Sequence, residues 1–142
     1  MRIKYLALTS LMIFLSVPAF CLVKLPQLLR DSMVLQRDAK VKIWGWASPN
    51  EKVTVDFLKK KYKAVADANG NWMVMLLKMQ AGGPYIMEIS GKNKITLHDI
   101  LIGDVWFCAG QSNMEHQMKL HAVNYAAEIS DANYTQIRQF KI

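Results

Sequence analysis

The stretch GDVWFCAGQSNMEHQ, residues 103–117, decides how the chain is read. Val105, Trp106, Phe107 and Cys108 form an apolar run that stops at Ala109-Gly110, and Gln111, Ser112, Asn113 and Met114 open a polar, helix-compatible segment. An unbroken apolar run predicts a strand covered on both faces. Met114, Met118 and Leu120, then Val123, Ala126, Ala127 and Ile129, recur at spacings near three and four, which predicts a helix over about residues 113–129. Ser130-Asp131-Ala132-Asn133 ends it, and QIRQFKI, residues 136–142, reads as a second strand. Strand, helix, strand is a βαβ unit, which prefers a right-handed crossover and a parallel sheet.

Working back from residue 103, the pattern is different. VKIWGWA (41–47) sets Val41 and Ile43 against Lys42, and KVTVDFL (52–58) sets Val53, Val55 and Phe57 against Thr54 and Asp56. WMVMLL (72–77), YIMEIS (85–90) and KITLHDILIG (94–103) continue the series. Period two with β-branched and aromatic residues marks half-buried strands. Ser48-Pro49-Asn50-Glu51 and Asn69-Gly70-Asn71 supply turns, and DANGNW (67–72) reads as a tight hairpin, because Asn-Gly tolerates positive φ. Short strands with regular turn signals predict an antiparallel β-sandwich. The chain is therefore expected to be mixed: a sandwich over residues 22–102, then one βαβ unit over residues 103–142. A lone βαβ unit of about forty residues can hardly bury its own apolar faces, so the second part is expected to be the start of a larger α/β domain; the alternative is that residues 104–142 pack as an irregular cap on the sandwich.

The 142 residues are 52% hydrophobic, which excludes a disordered chain. Arg2 and Lys4 precede an uncharged, mostly apolar stretch that ends with Pro18 and the small residues Ala19 and Cys21. That order predicts a signal peptide over residues 1–21, with a secreted or periplasmic product; an uncleaved membrane anchor is the rival. Bulky Phe20 argues against lipidation at Cys21. The formal net charge of +7 is reduced by two when Arg2 and Lys4 leave with the signal. Much of the remainder lies in Lys59-Lys60-Lys61-Tyr62-Lys63, read as a solvated hairpin end that discourages edge pairing. No aromatic platform or nucleic-acid motif accompanies it, so no nucleic-acid partner is expected. Cys108 is expected to be a small buried thiol. The sequence holds no His/Cys cluster with metal-ligand spacing and no Gly-rich phosphate loop, so no metal or cofactor is expected.

Ser112 has two readings. With Glu115 three residues on it completes a Ser-x-x-Glu capping box. Mounted where a strand hands over to a helix, its hydroxyl is also placed to act as a nucleophile, beside backbone N–H groups that have no partner within the helix. Gly110 would allow close approach and an unusual backbone angle, and Gln111 and Asn113 flank the hydroxyl. The histidines are His98, His116 and His121. His98 falls in a strand, and His116 would point along the helix rather than back over Ser112.

The blocks LPQLLRDSMVLQRD (25–38), VKIWGWASPNEKVTVDF (41–57), DANGNWMVML (67–76), AGGPYIMEI (81–89), ITLHDILIGDVWFCAGQSNME (95–115) and IRQFKI (137–142) together resemble the bacterial sialate O-acetylesterase family, of the SGNH-hydrolase type. The resemblance implies a leading β-sandwich followed by an α/β esterase domain. By carry-over Ser112 is the nucleophile and its N–H an oxyanion donor, with Gly110, Gln111 and Asn113 in support. It implies an O-acetylated sugar as substrate and no metal or organic cofactor. In this family the base and its carboxylate come from an Asp-x-x-His block far downstream, which this chain lacks. The 142-residue chain by itself is therefore expected to be inactive. The competing expectation is a non-catalytic carbohydrate-binding or interaction module, with Trp44, Trp46 and Trp72 stacking on sugars or packing in the core.

Overall fold

A computed structural model describes residues 22–141, so the expected signal peptide, residues 1–21, and Ile142 lie outside the described residues. Seven strands run in order: β1 (Val34–Gln36), β2 (Val41–Trp46), β3 (Lys52–Phe57), β4 (Lys60–Val65), β5 (Asn71–Leu76), β6 (Gly82–Ser90) and β7 (Lys94–Gly103). They form a five-stranded sheet, β1-β7-β6-β3-β4, and a two-stranded sheet, β2-β5. The larger sheet is mixed rather than purely antiparallel. β1 lies parallel to β7, with Val34 opposite Leu101, while the other pairs are antiparallel.

The alternation in the sequence is the alternation in the structure. Val53, Val55 and Phe57 of β3 are buried and so are Trp72, Val74 and Leu76 of β5, while Met73 and Met75 face outward. Both sheets feed one core, which also takes in Ile43, Met87, Ile89 and Ile100. Fully burying one such side chain stabilises the fold by about 1.5–3 kcal/mol, so this shared core holds the two sheets together. Gly45 is required by a close approach. Lys24 bridges Trp46 through N–H···O bonds of 2.8 and 2.9 Å, and a Cβ on Gly45 would sit 2.2 Å from the Lys24 carbonyl oxygen.

Two turns differ from expectation. The Asn69-Gly70 turn forms: the Asp67 carboxylate accepts from the Asn69 and Asn71 amides, and Gly70 takes φ +82°. It does not make a hairpin, however. β4 pairs with β3 and β5 with β2, so the turn carries the chain from one sheet to the other. The true two-residue hairpin is Leu58-Lys59, between β3 and β4, with φ of +50° and +61°. Positive φ at both positions is the pattern of a type I′ turn, which matches strand twist and prefers Asn-Gly. The basic run that starts at Lys59 therefore sits at a hairpin end, as expected, and Lys60, Lys61 and Lys63 lie on β4, an edge of the larger sheet.

Beyond Gly103 the expected strand, helix and strand are not present among the described residues. Residues 104–110 are irregular, and Trp106 and Phe107 are each 85% exposed. The expected helix is replaced by 3-10 turns at Ser112–Glu115 and Met118–His121 and a six-residue α-helix, Ala126–Asp131. The physical reason is the absence of a surface to pack on. Helices of this length draw their stability from burying an apolar face, and here Met114, Met118, Leu120 and Val123 are all exposed.

Candidate functional site

Ser112 opens the first 3-10 turn and is exposed. The turn is closed by the Met114 amide donating to the Gln111 carbonyl at 3.0 Å. Four residues of 3-10 turn supply no helix dipole comparable to that of a long helix, so the expected pairing of nucleophile with helix N-terminus is not assembled here. Gly110 has no positive φ; its lack of a side chain accommodates Met114, whose Cγ would lie 2.8 Å from an added Cβ. Gln111 is exposed, Asn113 lies in the turn, and the side chains of Asn113 and Glu115 are outside the description, the capping-box contact with them.

No histidine is joined to Ser112 among the described residues. His98 sits in β7, its amide donating to the Asp31 carboxylate at 2.6 Å. His116 and His121 meet each other, Nε2 to Nε2 at 2.6 Å with ring centroids 4.8 Å apart, so one ring shares its proton with the other. Among the described residues no histidine is placed as a base for the Ser112 hydroxyl, so they do not by themselves supply the proton acceptor of an acyl transfer. Cys108, expected to be buried, is exposed, because the strand expected to carry it into a covered sheet does not form. Among the described residues no group of three or more His, Cys, Asp or Glu side chains is placed to hold a metal ion. No helix of the described residues is long and apolar enough to cross a membrane.

The tryptophans divide between core and surface. Trp72 is buried against Gly45, Trp44 is half-buried with Lys42 Nζ 5.8 Å from its ring centroid, and Trp46 is exposed on the same face of β2.

The segment that carries Ser112 is nevertheless attached to the sheets at both ends, by residues the sequence did not single out. At its start, Arg37 Nε donates to Asp104 Oδ1 at 2.9 Å and the Val105 amide donates to Gln36 Oε1 at 2.9 Å. The hydrogen bond to Asp104, the nearby charge of Asp104 and that of Asp38 together raise the Arg37 pKa above its ordinary value, against a small opposing effect of burial. At its end, Arg138 donates from Nη1 to the Asp99 carbonyl and from Nη2 to Asp99 Oδ1 at 2.8 Å. Ser32 Oγ donates to Asp99 Oδ2 at 2.8 Å, and the Arg30 guanidinium lies 5.0 Å from the Phe140 ring centroid. Arg30, Ser32, Asp99 and Arg138 line an open groove of about 940 Å³, to which Thr135, Gln136 and Pro84 also contribute.

No family model matches the chain. It is similar to the sialate O-acetylesterase of Mus musculus, 39% identical over 124 residues, and to that of Homo sapiens, 37% identical over 123 residues. Each match covers 78% of this chain and 23% of the relative, so the chain spans about a quarter of the length of the curated relatives it matches. Among solved structures it is similar to a carbohydrate acetylesterase from Xanthomonas citri, with a TM-score of 0.76 and 40% sequence identity, over 81% of this chain and 26% of the other.

Proposed function

We propose that this chain, a homologue of the sialate O-acetylesterases, is the leading part of a carbohydrate O-acetylesterase in which Ser112 is the nucleophile. The supporting observation is the GQSNM block at residues 110–114, carried by a chain 37–39% identical to those enzymes along most of its length. In this reading residues 22–102 are a β-sandwich domain and residues 103–142 begin an SGNH-type esterase domain. The predicted strand and helix around Ser112 form when the rest of that domain covers Trp106, Phe107 and Val123. Residues 1–21 direct the protein out of the cytoplasm, where an O-acetylated sugar is the substrate.

The chemistry follows from the hydroxyl. A base supplied by the rest of the domain takes the Ser112 proton as Oγ attacks the acetyl carbonyl carbon. The carbonyl oxygen becomes an oxyanion, stabilised by the Ser112 N–H and further donors. Collapse of the tetrahedral intermediate expels the sugar hydroxyl, which takes a proton from the base, and leaves an acetyl-serine. Water, activated by the same base, releases acetate and restores Ser112.

The 142-residue chain alone hydrolyses aryl acetates no faster than its Ser112→Ala variant. When the chain is extended by its downstream sequence with an Asp-x-x-His block, Ser112→Ala lowers kcat/KM by on the order of 10⁴-fold or more. The urea midpoint changes little in the variant, because Ser112 is exposed. An enzymatic rate in the short chain that depends on Ser112 would place the base within it. A fast extended enzyme indifferent to Ser112→Ala would remove the serine from the mechanism.

A further inference from the structure

Three separated blocks of the sequence converge at one point. Arg30 and Ser32 come from the strap before β1, Asp99 from within β7, and Arg138 and Phe140 from the end of the segment that carries Ser112. We infer that Ser32, Asp99 and Arg138 form a latch that clamps the far end of the Ser112-bearing segment onto β7 of the larger sheet, making them positioning residues for Ser112. This rests on the esterase reading only for its purpose; the latch itself is a matter of geometry.

The first support is the chemistry of the contact. Arg138 reaches two acceptors of one residue, the carbonyl and the carboxylate of Asp99, and Ser32 occupies the other carboxylate oxygen. A planar guanidinium donating in two directions fixes orientation as well as distance, which a lysine cannot do. The Arg138 side chain is only 18% exposed, so the guanidinium is withdrawn from solvent at this point.

The second support is the backbone. Ser32 has φ +62° and Asp99 φ +57°, the left-handed region that disfavours side chains. Asp99 also lies where β7 slips its register against β6: Tyr85 faces Ile100 and Met87 faces Leu97, so β7 spends an extra residue there. Two unfavourable conformations and a bulge at one contact are what is expected where the fold aims a side chain at a partner.

The third support is that the other end of the segment is tied to the strand beside β7. Gln36, the last residue of β1, holds the Val105 amide, and Arg37, which follows it, holds Asp104; β1 pairs with β7. Ser112 therefore lies on a loop whose two ends are anchored to neighbouring strands of one sheet. Its position is set by the β-sheet as well as by whatever covers the loop.

Trypsin tests the latch directly, because it must draw the Arg138 side chain into its own specificity pocket. Cleavage after Arg138 is compared with cleavage after exposed Lys119 in the intact 142-residue chain, with fragments identified by mass. Where opening is fast, cleavage follows the population of the open form, and Asp99→Asn raises cutting after Arg138 by about tenfold or more. Ser32→Ala raises it less, and Lys119 cutting is unchanged in both. The inference is overturned if the Arg138 rate does not respond to Asp99→Asn. It is equally overturned if cutting after Lys60, Lys61 and Lys63 rises in parallel, since Asp99 would then support the whole sheet rather than the segment. Because the readout is proteolysis, its failure leaves the hydrolysis test of Ser112 untouched, and the reverse holds too.

Discussion

Glu51 shows how much one residue can tie together. It is a buried acid, and its two oxygens accept from the Ser48 amide at 3.0 Å and the Lys92 amide at 2.6 Å, joining the β2–β3 turn to the β6–β7 turn. Burial pushes its carboxyl up, but the hydrogen bonds from the Lys92 and Ser48 backbones, the Ser48 hydroxyl and the Lys92 charge outweigh that and hold it below its ordinary value of 4.5. A carboxyl with a depressed folded pKa contributes stability that is present above the unfolded value and lost as pH falls through the folded one. The resistance of the chain to urea is therefore expected to weaken as pH falls below the ordinary value of 4.5, in part through this group. Glu51→Gln, which presents an amide where an acceptor is needed, costs about 1–3 kcal/mol at neutral pH and flattens that part of the pH profile. An unchanged profile in the variant would remove Glu51 as the cause. In the sequence Glu51 is simply one residue of a Ser-Pro-Asn-Glu turn; its second partner is 41 positions away, and nothing local announces it.

At the scale of elements, the strands were legible and their pairing was not. Alternation places Ile43, Val55, Trp72 and Val74 inward because a strand has period two whatever it pairs with. Asn69-Gly70 is a turn signal, yet it marks a change of sheet, while the hairpin is made by Leu58-Lys59, a pair with no turn signature. The pairing of β3 with both β4 and β6 enforces that turn from outside. Two non-glycine residues in the left-handed region each cost about 1–2 kcal/mol. Leu58→Asn with Lys59→Gly is therefore expected to raise the unfolding free energy by about 1–2 kcal/mol, measured by the urea midpoint at constant slope. A loss of stability would mean that Leu58 packs more than its exposed position indicates.

For the whole molecule, stability is uneven. The two sheets share one core, while residues 104–141 have exposed apolar side chains and few hydrogen bonds to the sheets. Amide exchange is expected to divide accordingly, with β3, β5, β6 and β7 protected to near the global unfolding free energy and residues 104–135 exchanging with little protection. Equal protection in both parts would show that the segment packs as a unit with the sheets. The same contrast governs the candidate site. Gly-Gln-Ser-Asn-Met is a local pattern, yet no histidine joins Ser112 among the described residues, because a catalytic constellation is a set of distances between distant residues.

What the sequence by itself determined about this protein is local: which residues alternate into a core, and where some of the turns fall. Its kinship to carbohydrate acetylesterases was also legible there, since it is carried by residue identities. Only the tertiary structure decided that β1 runs parallel to β7, that the Asn-Gly turn switches sheets, and that Arg138 reaches back 39 positions to Asp99. The reason is that periodicity and turn chemistry act between neighbours in the chain. Strand partners and ion pairs depend instead on which surfaces are left to be covered once those local pieces have formed.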